Sequence, residues 1–181
     1  MQTYISLLRG INVTGYRKIS MVELKACYES IELQKVTTYI QSGNVLFQSN
    51  KTVEILQQTI TEAIKKTFGY PDVTIFVYQP EELQRLFTSH PFIKHPEADL
   101  KKIYYTFLKD TPETEKVEAL QTFQTQADQF KIIDNVVYIF CPNGYGDTKL
   151  TNNFFESKLK VRATTRNWNT VNKLLALSDN Y

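Results

Sequence analysis

The chain has little cysteine and little histidine, two of each in 181 residues. Cys27 and Cys141 make neither a disulfide framework nor a paired Cys-x-x-Cys motif, so both are expected to be reduced residues of the core. His90 and His95 each precede a proline and have no third ligand spaced near them. No metal and no cofactor is expected. Several catalytic signatures are missing as well. There is no Gly-x-x-x-x-Gly-Lys-Ser/Thr phosphate loop, no Gly-x-Ser-x-Gly elbow and no His-Glu-x-x-His pair. Ser42 has no histidine base in prospect, which argues against a serine nucleophile. Long apolar runs are absent too, far short of the roughly 20 residues that cross a bilayer. The start, Met-Gln-Thr-Tyr-Ile-Ser-Leu-Leu-Arg, lacks the basic-then-apolar order of a leader. A cytoplasmic protein with no membrane partner is expected.

What is present is ordinary for a folded domain: 42% hydrophobic, 22% charged and 13% aromatic residues. The net charge of +2 is unevenly distributed. Between Tyr145 and Lys173 six bases (Lys149, Lys158, Lys160, Arg162, Arg166, Lys173) face two acids, Asp147 and Glu156. Residues 1–20 carry Arg9, Arg17 and Lys18 and no acid. The rest of the chain is therefore acidic, and two basic segments that met would form a patch able to steer an anion.

Periodicity supplies the element order. Thr3–Leu8 reads as a buried strand. Ser20 with Glu23 has capping-box spacing ahead of a helix with Met21, Leu24, Tyr28 and Ile31 on one face. Val36–Gln41 and Val45–Gln48 flank a glycine-containing turn as a hairpin. Thr52–Phe68 reads as a helix with Ile55, Leu56, Ile60, Ile64 and Phe68 inward, stopped by Gly69. Val73–Tyr78 is a strand, and Pro80 opens a short helix. This is β-α-β-β-α-β, the ferredoxin-like pattern, with strands one and three side by side in the sheet. His90–Asp99, with two prolines and no period, is the expected linker. The pattern then restarts: a strand at 102–108, a helix at 112–127, a hairpin about Asp134-Asn135, a helix, a strand at 161–165 and a last helix from Trp168. The expected class is α+β, with a ferredoxin-like lobe at 1–92 and a second α/β lobe of similar topology at 93–181.

The polar chemistry concentrates in Tyr145–Lys173, above all in Ala163-Thr164-Thr165-Arg166-Asn167-Trp168-Asn169-Thr170. This run reads as a strand breaking into a helix N-terminus, where unpaired N–H groups attract anions. Lys149, Arg162 and Arg166 suit phosphate or carboxylate, arginine bidentately. Trp168 suits either a stacking role or the first core position of its helix. Thr165 or Asn167 suits either a ligand contact or a helix cap. Carboxylates for acid–base work are few.

Leu8-Arg9-Gly10-Ile11-Asn12-Val13, Thr38-Tyr39-Ile40-Gln41-Ser42-Gly43-Asn44-Val45, Gly144-Tyr145-Gly146-x-Thr148-Lys149-Leu150-x-Asn152 and the 163–170 run resemble the bacterial family known as domain of unknown function 1697 (DUF1697). The resemblance implies a ferredoxin-like lobe plus a second α/β lobe, and no established activity. With the residue reading it leads to one expectation: an anionic ligand (a nucleotide, phosphate or nucleic acid) bound between two lobes. Arg9, Lys149 and Arg166 would neutralise its charge, and Asn12, Gln41, Asn44, Thr165, Asn167 and Asn169 would orient it. Two alternatives stand beside it. One is an enzyme on such a ligand, with Asp147 or Lys149 as acid–base group; the other is a protein–protein module without a small-molecule site.

Overall fold

A computed structural model describes residues 1–13, 15–93, 99–123 and 127–181. Its strands are β1 (Gln2–Arg9), β2 (Gln34–Tyr39), β3 (Asn44–Ser49), β4 (Thr74–Tyr78), β5 (Ile103–Leu108), β6 (Gln129–Ile133), β7 (Val136–Phe140) and β8 (Ala163–Asn167). The helices are α1 (Met21–Glu29), α2 (Val53–Phe68), α3 (Pro80–Thr88), α4 (Thr114–Gln121), α5 (Asn152–Leu159) and α6 (Trp168–Ser178). The strands form two separate four-stranded antiparallel sheets, ordered β2-β3-β1-β4 and β6-β7-β5-β8. In each, the first strand made is central and pairs with the third and fourth.

The chain divides into two compact units, Met1–Arg85 with Lys173–Tyr181, and Leu86–Asn172. The sequence expectation set the division at residues 92 and 93, within the proline-containing stretch. The observed boundaries instead cut α3 and α6.

Local chemistry explains the first unit. Glu23 N–H donates to Ser20 Oγ and Ser20 N–H donates to Glu23 Oε2, closing the expected capping box on α1. Thr52 caps α2 and Gly69, at φ 74°, ends it in the left-handed conformation. Leu56, Ile60 and Ile64, four apart, form the buried stripe of α2 against Tyr4, Leu8, Val45 and Phe47 of the sheet. Ile55, expected inward, is 47% exposed. It sits one residue, about 100°, round the helix from Leu56, outside a stripe only one residue wide. Ile5, Leu7, Leu46 and Phe76, on the sheet's other face, are buried too.

In the second unit the core gathers Leu108, Val137, Ile139 and Ala163 with Leu120, Leu150, Phe155 and Leu159. The helix expected at 112–127 begins later, at Thr114, with Glu113 at its cap position and no side-chain cap bond. His90 departs furthest from expectation. Expected on a linker surface, it is 1% exposed and packs edge-on to Tyr105 and Tyr138, ring centroids 4.8 and 5.0 Å away. Its Nε2–H donates to Tyr104 O at 3.2 Å, and Phe92 N–H donates to Nδ1 at 3.3 Å. Both ring nitrogens are thus satisfied in the neutral form, and burial holds the pKa down at about 4. His95 lies outside the described residues.

Candidate functional site

The first unit brings its two sequence motifs together at one end of the sheet. Asn12, at φ 53°, is the stitch. Its Nδ2 donates to Ile19 O and Gln41 O, both at 2.9 Å, and its Oδ1 accepts Ile19 N–H at 2.9 Å. Leu8 N–H donates to Gly43 O at 2.8 Å. A Cβ on Gly43 would lie 2.6 Å from Ile11 Cδ1, so only glycine lets the hairpin tip approach this closely. Asn44 is buried and donates to Tyr39 O and Ser42 Oγ. Of the two amides expected to orient a ligand, that of Asn12 therefore holds the loops to each other and that of Asn44 closes its own hairpin. Gln41 contributes its carbonyl to this and keeps an exposed side chain. Arg9 ends β1 half-buried, and Arg17 pairs with Asp72 at 2.8 Å.

In the second unit the two polar runs also meet, but through hydroxyls. Thr165 Oγ1 donates to Asn152 Oδ1 at 2.6 Å, and Tyr145 OH donates to Thr165 Oγ1 at 3.1 Å. Thr106, cross-strand partner of Thr165, completes the cluster at 2.7 Å. Arg166 is not part of it. Successive side chains of a strand point to opposite faces, so Thr165 and Arg166 cannot serve one site. Arg166 was expected to face solvent or a cleft. It is instead 7% exposed, with Nη1 donating to Thr164 Oγ1 and Thr165 O, both at 2.9 Å. Asn167 has the capping role: Thr170 N–H donates to its Oδ1 at 2.8 Å, filling one of the N–H positions expected to receive an anion. Trp168 packs on Phe87, centroids 5.5 Å apart. Lys149 and Asn169 are exposed.

Cys141 is buried, and desolvation pushes its thiol up to about 11, which keeps it protonated and unreactive. Beside it, Thr148 Oγ1 donates to Asp128 at 2.5 Å. Among the described residues no group of three or more His, Cys, Asp or Glu is placed to hold a metal ion.

The exposed positive charge lies elsewhere. α5 ends at Leu159 because Lys160 turns left-handed (φ 59°), its N–H donating to Glu156 O. Glu156 Oε1 in turn accepts Ala163 N–H at 2.9 Å, tying the turn to the start of β8. Lys158, Lys160 and Arg162 project from this turn, all exposed. None of the three has a carboxylate partner among the described residues. Lys158 also lines a groove of about 520 Å³ between α4 and α5, floored by Leu120, Phe123 and Phe154. The two phenylalanine rings meet at 4.7 Å. Within the lining Lys116 pairs with Glu113 at 2.8 Å, which leaves Lys158 and Glu115 unmatched. The alternation of bases at 158, 160 and 162 was visible in the sequence. The groove was not, because Phe123 and Phe154 are joined only by helix packing.

The chain belongs to the family described as "Protein of unknown function (DUF1697)", which matches residues 1–138. The match stops short of the hydroxyl cluster's Tyr145, Asn152 and Thr165 and of the basic turn. No curated protein matches. The fold is similar to that of the conserved bacterial protein SP0830 from Streptococcus pneumoniae, with a TM-score of 0.76 and 21% identity over 97% of this chain and 98% of that one.

Proposed function

We propose that this protein binds a phosphate-bearing anion on its second unit, at the turn that presents Lys158, Lys160 and Arg162. The observation that carries the reading is three exposed bases within five residues and, among the described residues, no acid paired to any of them. A surface that needs only solubility interleaves both signs. Part of the charge offsets the negative end of α5, but that effect fades beyond the last turn, and Arg162 lies past it. Lys149 and Asn169, both exposed, are the sequence-derived candidates of the second unit that remain as secondary contributors. We also read the strand order of each sheet as ferredoxin-like and place the protein in the cytoplasm, a compartment that suits two free, buried cysteines. Among the described residues no helix is long and apolar enough to cross a membrane.

The test is a titration with inorganic polyphosphate at low and moderate salt, comparing wild type with the triple variant K158A/K160A/R162A. Binding that weakens with salt in the wild type and vanishes in the variant is expected. Equal affinity in both would end the reading.

One observation favours a protein-binding module instead. Tyr16, 79% exposed, and Val22, 80% exposed, follow the motif loop of the first unit, and Val13 and Ile40 are exposed on the two stitched segments. Ile40 is also β-branched and held at φ 49°, a costly conformation that favours functional sites.

A further inference from the structure

The basic turn and the α4–α5 groove share a residue, Lys158, and the groove's character is unlike the turn's. Its floor is Leu120, Phe123 and Phe154. Both rings are only half-buried, whereas Phe155, next to Phe154 in the same core, is covered. The volume, about 520 Å³, falls within the roughly 300–1,000 Å³ of small-molecule sites. An inorganic anion has no use for such a floor. A ligand that joins a flat apolar ring to a phosphate uses both parts.

Resting on the reading above, we infer that the groove receives a base-like ring stacked on Phe123 and Phe154, with its phosphate at Lys158 and Lys160. The ligand class is then a nucleoside phosphate, either free or as one unit of a single strand. The charges agree with this. Lys116 and Glu113 satisfy each other, so Lys158 is the lining's unmatched base, and the exposed Lys160 and Arg162 follow it by two and four residues. Glu115, the unmatched acid, repels a phosphate from the groove itself and accepts from an amino group on a ring. Aromatic stacking tolerates many sequences, so broad base preference is expected.

Ala119 makes a clean probe, because it lines the groove from the exposed face of α4 and leaves the core untouched. Wild type, A119W and K158A are titrated with a mononucleotide, a single-stranded homopolymer and inorganic polyphosphate, with circular dichroism checking each fold. A119W is expected to weaken the nucleotide or the homopolymer about tenfold, the scale of one lost base stack, and to leave polyphosphate unchanged. K158A is expected to weaken all three. A mononucleotide that binds as tightly as the homopolymer assigns the groove to a free ligand; a homopolymer that alone binds assigns it to a strand. If A119W does not fold, F123L removes a ring while keeping apolar volume and is read the same way. Polyphosphate binding with no response of either nucleic ligand to A119W or F123L overturns the groove inference and leaves the anion site standing. No binding of any polyanion overturns both.

Discussion

Thr165 Oγ1 lies 2.6 Å from Asn152 Oδ1, the shorter of two bonds by which this hydroxyl joins the two polar runs of the second unit. With Thr106 and Tyr145 also on the same oxygen, the hydroxyl has one donor role and two acceptor roles filled.

Thr165→Val keeps the shape and removes the hub. It removes the bonds to Asn152 Oδ1 and Tyr145 OH, so a loss of about 1–3 kcal/mol is expected. Urea unfolding reads it as a lower midpoint at constant slope. An unchanged midpoint would show that water replaces the hub at no cost.

Arg166→Ala separates structural from ligand roles. Because the side chain is buried and hydrogen-bonded to its own strand, we expect lost stability, about 1–3 kcal/mol, with polyphosphate affinity at the basic turn intact. The reverse pattern, full stability with weakened binding, would restore Arg166 as a ligand contact.

Asn12 combines a left-handed backbone with a bridging amide, and two variants divide them. Asn12→Gly loses the amide bonds but tolerates φ 53°; Asn12→Ala loses the bonds and adds roughly 1 kcal/mol of backbone strain. Alanine is therefore expected to be the less stable of the two. Equal midpoints would mean that the loop relaxes once the amide is gone.

His90 gives a pH dependence with a defined sign. Its folded pKa, about 4, lies below the ordinary 6.5, so the unfolded chain binds the extra proton first. The stability contribution is complete above pH 6.5, declines as pH falls and is lost through pH 4. Its full size is roughly 3 kcal/mol, at about 1.4 kcal/mol per pH unit. Unfolding midpoints at pH 7, 5.5 and 4.5 should fall for wild type and fall less for His90→Gln. Parallel declines would assign the effect to other groups.

Features set by a few neighbouring residues were legible in the sequence. The Ser20–Glu23 box and the Gly69 stop depend on spacings of three or one. The element order gave β1 beside β3, since a crossover helix leaves few alternatives. Burial at position 166 was not legible. Alternation dictates that Thr165 and Arg166 diverge, but only the assembled sheet decides which face is covered, and both are. The same limit hid His90, whose neighbours Tyr105 and Tyr138 come from later strands, and the Phe123–Phe154 groove. Ile55 shows a narrower limit, where two adjacent apolar residues compete for one helical stripe.

Residues 173–181 belong to the first compact unit, although the whole second unit precedes them. In connectivity the second unit is thus an insertion, held within a host whose parts come from far apart in the chain. During synthesis the inserted unit has all of its residues before the host does. The host has all four of its strands by Tyr78 but receives the end of α6 only after the inserted unit, and contacts so distant along the chain form slowly. Removal of residues 173–181, the last made, is therefore damage to the unit that contains β1, the first made.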